Sequence, residues 1–152
     1  MSRALSPVVG TVTLVAVVVI AATAVGALVT VEPPAPSPVA QFSVTADADA
    51  DRIALTHEGG DTVAVSDLSV SISVDGRPLA HQPPVPFFAA RGFESGPTGP
   101  FNTASDDDWS AGQRTTLSLA ETNSPNLAPG ATVTVRLATE RAVLASVETT
   151  AR

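Results

Sequence analysis

The chain has 152 residues, enough for one domain and an accessory segment, and carries 15 Asp/Glu against eight Arg with no Lys, for a formal net charge of −7. That balance repels nucleic acid and anionic lipid headgroups, and no basic stripe or aromatic platform is present to reverse it. The absence of cysteine excludes a disulfide framework, a Cys-ligated zinc site, a thiol nucleophile and a lipid on an N-terminal Cys.

Apolar residues are concentrated at the N-terminus. From Leu5 to Val31 there are 27 residues without a charge, so the positive mean hydropathy of +0.26 describes this segment and not the rest of the chain. About 20 apolar residues span a bilayer, and a stretch that is apolar all round has no water-facing side. In lipid the backbone must satisfy its own N–H and C=O groups, which predicts helix in spite of the Val content. Ser6 and Pro7 fit a helix start, the serine as a cap and the proline where its missing N–H costs nothing. Glu32-Pro33-Pro34 ends the helix. Arg3 before the run and Glu32 after it predict a cytoplasmic N-terminus, with everything from Glu32 onward outside the cell. Gly10, Ala16, Ala22 and Gly26 give the helix small surfaces that allow close packing against other helices.

The stretch Arg3-Ala4-Leu5-Ser6-Pro7-Val8-Val9-Gly10, ahead of a long Val/Ala/Thr helix, resembles the N-terminal signature of archaeal type IV pilins, haloarchaeal ones above all. The acidic, Lys-free composition is of the kind found in salt-loving archaea. The resemblance covers residues 3 to 31 and is generic afterwards. It implies that a prepilin peptidase cuts between Ala4 and Leu5, with Arg3-Ala4 as the basic-small pair, so that the apolar helix is retained. It also implies other pilin subunits and the pilus assembly machinery as partners, residence in the membrane followed by an extracellular pilus, and a part in surface adhesion. Many bacterial type IV pilins have glutamate at the fifth mature position, where this chain has Val9; archaeal members commonly lack that acid. Two other parses remain open. A simple membrane anchor would keep the helix in lipid, and secretory cleavage at Ala22-Thr23-Ala24 would release a protein beginning at Val25.

Residues 32–38, with four prolines in seven, are expected to form a stiff linker between the leader (1–4), the helix (5–31) and an outer domain (39–152). In that domain the pattern changes to alternation. Val70, Ile72 and Val74 alternate with Ser69, Ser71 and Ser73, a half-buried strand, and Asp75-Gly76 is a hairpin turn returning through Arg77 to His81. Further strands are expected at about 40–46, 52–57, 62–65, 114–121, 131–138 and 142–149, with turns at Glu58-Gly59-Gly60-Asp61 and Ala128-Pro129-Gly130. Seven or eight short strands predict a mainly β protein, an immunoglobulin-like antiparallel sandwich following the helix. Between Gln82 and Gly112 the alternation lapses, yet Phe87, Phe88, Phe93, Phe101 and Trp109 fall there. They are expected either to plug one end of the sandwich or to form a contact surface.

Candidates for chemistry are few. Asp47, Asp49, Asp51 and Glu58 imitate the spacing of a calcium loop, but Arg52 stands where the sharp turn needs glycine, so a solvated acidic turn is expected. Asp106-Asp107-Asp108 reads as a solvated loop. His57 and His81 lack zinc spacing, and neither a G-x-S-x-G elbow nor a phosphate-cradling glycine loop occurs. The expectation is therefore a structural protein, not an enzyme, with no cofactor and no nucleic-acid partner.

Overall fold

A computed structural model describes residues 6–28 and 36–152, with side chains on the helix described over 7–23. The chain divides into two units, Met1–Pro36 and Ser37–Arg152. The first contains α1, Ser6–Leu28. Among the described residues no helix is long and apolar enough to cross a membrane. This departs from the span expected over Leu5–Val31: Leu5 and residues 29–31 lie outside the described residues, and the side chains described over 7–23 stop short of the ~20 apolar residues a bilayer requires. Residues 32–35 of the expected linker also lie outside the described residues.

The second unit is mainly β and antiparallel. β1 (Ala40–Asp47), β2 (Arg52–Gly60) and β7 (Arg114–Ser118) form one sheet in the order β1-β2-β7. β4 (Ser69–Val74), β5 (Arg77–Pro78), β8 (Thr132–Ala138) and β9 (Val143–Thr150) form another in the order β5-β4-β8-β9. A third, minimal ladder joins β3 (Val63–Ala64) to β6 (Asp108–Trp109). Alternation sets the buried side of each strand. Phe42, Val44, Ile53, Leu55 and Leu117 from the first sheet share one buried apolar cluster with Val70, Ile72, Val74, Val133, Val135 and Leu137 from the second.

β4 occupies the expected residues, and Asp75 (φ 49°) and Gly76 (φ 74°) make the left-handed pair of a two-residue turn. The return strand is shorter than the expected run to His81. β5 ends at Pro78, and beyond it the Gln82 side chain takes over the pairing: Ile72 N–H donates to its Oε1 (2.7 Å) and its Nε2 donates to Ile72 O (2.9 Å). The turn expected at Glu58–Asp61 is also displaced. Glu58, Gly59 and Gly60 continue β2, because a bulge between Gln41 and Phe42 leaves Glu58 without an opposite residue while Gly59 and Gly60 pair with Gln41 and Ala40. Asp61 then turns the chain and grips Val39, accepting from its N–H through Oδ2 (2.9 Å) and donating its own N–H to its carbonyl (2.9 Å). The turn expected at Ala128-Pro129-Gly130 is present, with Ala131 N–H on Ala128 O at 3.0 Å.

The irregular stretch between β5 and β7 is tied by a buried amide. Asn123 Oδ1 accepts from His81 N–H (3.0 Å), and its Nδ2 donates to His81 O (2.9 Å) and Gly92 O (3.1 Å). A Cβ at Gly92 would stand 2.7 Å from His81 Cβ and 2.8 Å from Asn123 Nδ2, and the residue has φ 87°, so only glycine lets the three segments meet. Asn123→Ala leaves these buried backbone groups unpaired and is expected to destabilise the fold by about 3 kcal/mol, read as a lowered urea midpoint with an unchanged m-value.

Candidate functional site

Three regions bear on function: the helix surface, an aromatic cluster, and the outer face of the three-stranded sheet. On α1, nine large aliphatic side chains, Val8, Val9, Val12, Leu14, Val15, Val17, Val18, Val19 and Ile20, are all 56–66 % exposed. They point in every direction around the axis, so no single stripe is set aside for a core. Gly10 has open space where a Cβ would stand, and Ala16 and Ala22 are exposed. Gly26 lies within the helix. The helix hydroxyls turn back on their own backbone: Thr11 Oγ1 donates to Val8 O (2.9 Å), Thr13 Oγ1 to Val9 O (2.8 Å) and Thr23 Oγ1 to Ile20 O (2.9 Å). The residues at the expected cleavage point, Arg3, Ala4 and Leu5, lie outside the described residues. Ser6 and Pro7 are the first two residues of α1.

Trp109 does not lie in a loop, as its surroundings predict, but in β6, fully buried and paired with Val63. Its ring centroid lies 4.8 Å from that of Phe42, 4.9 Å from Phe101 and 5.8 Å from His57. The indole N–H donates to Gln113 O at 3.2 Å. Phe87 and Phe93 are buried with ring centroids 5.3 Å apart, while Phe88 is 71 % exposed. Four of the five aromatics in the irregular stretch therefore serve the core. His57 is buried within this cluster, its Nε2 2.9 Å from Asp61 O and its Nδ1 without a partner. A carbonyl oxygen can only accept, so Nε2 is the donor in that contact. His81 is half-buried elsewhere, held through its backbone by Asn123.

The calcium-like set of carboxylates does not converge. Asp47 closes the β1–β2 turn by accepting Ala50 N–H on Oδ1 (3.1 Å), and Asp51 follows in a left-handed conformation (φ 48°). Glu58 lies at the far end of β2, about 20 Å along the strand at ~3.3 Å per residue, where it accepts from Ser43 Oγ. Among the described residues no three His, Asp or Glu side chains are grouped to hold a metal ion. In the Asp106–Asp108 run the middle residue has a structural task that its composition hides. Asp107 accepts from Ser66 N–H (2.7 Å) and Ser66 Oγ (2.7 Å), while its carbonyl accepts from Val65 N–H (2.8 Å), so it clamps the 3₁₀ turn Val65–Asp67 beside the β3–β6 ladder.

A groove of about 750 Å³ lies on the outer face of β1-β2-β7, with Thr45, Asp47, Arg52, Arg114, Thr116 and Ser118 among its lining side chains. They come from two distant stretches, 45–52 and 114–118, which the β2–β7 register brings together. No protein-family model and no curated protein matches the chain.

Asp107→Ala removes two bonds to Ser66 at an exposed site and is expected to cost about 1 kcal/mol, measured by thermal unfolding. Asp106→Ala, whose side chain has no such contact among the described residues, is expected to leave the melting temperature unchanged.

Proposed function

We propose that this chain is a structural subunit, a pilin or pilin-like protein, of an archaeal type IV pilus. The reading rests on the sequence Arg3-Ala4-Leu5-Ser6-Pro7 in front of the uncharged run from Leu5 to Val31. The observation that carries it further is the uniform exposure of the nine large aliphatic side chains described on α1. Each large aliphatic group kept from water contributes roughly 1.5 to 3 kcal/mol, so a helix of this kind needs a covering on every side. Lipid supplies that before assembly, and a bundle of like helices supplies it afterwards. Gly10, Ala16, Ala22 and Gly26 allow close approach in such a bundle.

In this reading a prepilin peptidase cleaves after Ala4 with the N-terminus in the cytoplasm. The assembly machinery then moves the subunit from the membrane into the filament, and the β unit faces the exterior, where it serves adhesion. Catalysis, a cofactor and nucleic acid have no part in it. The strand orders β1-β2-β7 and β5-β4-β8-β9 support an immunoglobulin-like sandwich for that unit. Among its seven main strands, the first, second and fifth in chain order form one sheet and the other four the second. Both contribute to one apolar cluster.

The test is the intact mass and N-terminal sequence of the protein from its native cells, together with an Arg3→Gln variant. A mature start at Leu5, lost in the variant, is expected. A start at Val25 would make this a secreted domain, and an uncleaved chain would make it a membrane anchor; either outcome overturns the pilin reading.

A further inference from the structure

Arg52, Arg114 and Arg152 all open into the groove on β1-β2-β7, three of eight arginines in a chain of net charge −7. Strand pairing arranges the face in rows. Asp47, Arg52 and Ser118 stand opposite one another across the three strands; Thr45, Ala54 and Thr116 form the next row; Ser43, Thr56 and Arg114 the next. Arg152 joins beside Asp47, donating its N–H to Ala46 O (3.1 Å) and accepting Ala48 N–H on its carbonyl (2.8 Å). Ser95, Gly96 and Thr98 line the groove further, with Thr98 N–H on Thr116 O at 3.1 Å. Arg114 Nη2 donates to the Thr45 hydroxyl at 3.1 Å, not to a carboxylate. One Asp47 oxygen is occupied by Ala50 N–H.

We propose that this groove binds a uronate-bearing saccharide, with the arginines on its carboxylates and the threonine and serine hydroxyls on its ring hydroxyls. The guanidinium fork matches a carboxylate with two parallel hydrogen bonds. Arg114 reaches across to Thr45 while Arg52 and Arg152 open into the groove by the Asp47 row, and the hydroxyls of Thr45, Thr116 and Ser118 share these rows, a mixture of cations and hydroxyl partners that suits a short glycan bearing carboxylates. Three arginines offset by Asp47 and Asp49 leave a side-chain charge of only +1 (3 − 2) in the groove, on a protein that repels anions in bulk. Sparse single charges fit such a site, whereas a densely sulfated polymer is pushed away. The central row offers the small Ala54, whose burial makes a shallow floor, and among the described residues no aromatic ring lines the groove for a neutral sugar to stack on. A peptide is the weaker match, because extended peptides add at a sheet edge and seek side-chain pockets, and this groove lies on a sheet face lined by hydroxyls.

The proposal goes beyond the pilin reading and is tested separately from it, on the purified full chain in detergent micelles, so that failed processing leaves it standing. Binding of a glucuronate-containing hexasaccharide is measured by calorimetry against its carboxyl-reduced neutral form, a heparin hexasaccharide and a hexaglutamate peptide. The glucuronate compound is expected to bind, and the neutral form to show at least tenfold weaker binding. Arg52→Gln and Arg114→Gln, exposed substitutions first shown to keep the parental melting temperature, are each expected to weaken binding about tenfold, the loss of one charge-assisted contact. Arg77→Gln, on β5 in the other sheet, is expected to change nothing. Equal binding of the neutral form, tighter binding of heparin or of hexaglutamate, an equal loss in Arg77→Gln, or no binding at millimolar glucuronate hexasaccharide would each overturn the proposal.

Discussion

Burial of the Trp109 indole is the interaction on which the rest of the β unit depends. Without cysteine, segments distant in sequence can be held only by packing and by hydrogen bonds, and Trp109 gathers four of them. It brings together Phe42 on β1, His57 on β2, Phe101 in the 3₁₀ turn Gly99–Phe101, and its own short ladder with Val63. Its N–H and the His57 Nε2 both reach backbone carbonyls, those of Gln113 and Asp61, so the cluster also fixes where the chain enters β7 and where it leaves β2. Phe42 and His57 stand opposite each other on β1 and β2, so this packing supports the register that also sets the rows of side chains on the outer face.

The stretch between β5 and β7 has few ladder bonds, and side chains stand in for missing strands. Gln82 pairs with both backbone groups of Ile72 as a strand residue would. Asn123 does the same for His81 and adds Gly92. Asp107 closes the turn at Ser66, and Asp61 holds the entry at Val39. Each bond satisfies a backbone group that would otherwise need water. This explains how a Pro- and Gly-rich segment without cysteine can be ordered and still bury four aromatic rings.

How much of the fold is legible in the sequence depends on how local each determinant is. Ser69–Val74 is legible because six residues carry their own alternation, and Asp75-Gly76 because both turn residues must accept positive φ. β6 is not, since a two-residue ladder has no period, and Trp109 sits beside three aspartates that point to a solvated loop. Glu58-Gly59-Gly60 looks like a turn by composition, but pairing with Gln41 and Ala40 extends β2 through it. The calcium-like spacing fails for a related reason: the twelve residues that would curl in a calcium loop here form one turn and then run straight along β2, which carries Glu58 away from Asp47. The groove lies beyond sequence reasoning, because Thr45, Arg52, Arg114 and Arg152 meet only through register.

The two halves of the chain pair their polar side chains by opposite means. In the β unit the pairing is long-range, and Asn123 and Gln82 bind segments that only the finished fold brings close. Among the described side chains of α1 it is local: Thr11, Thr13 and Thr23 return their hydroxyls to carbonyls three or four residues back, leaving an aliphatic surface over 7–23. A helix of that kind has no hydrogen bonds to break on passing between lipid and a bundle of similar helices, since both are apolar and neither competes for its backbone. The difference between the two environments then reduces to packing against small residues, which is weak in hydrocarbon. In the pilin reading proposed above, transfer so nearly balanced runs in whichever direction work is applied, and the direction of assembly comes from outside the subunit.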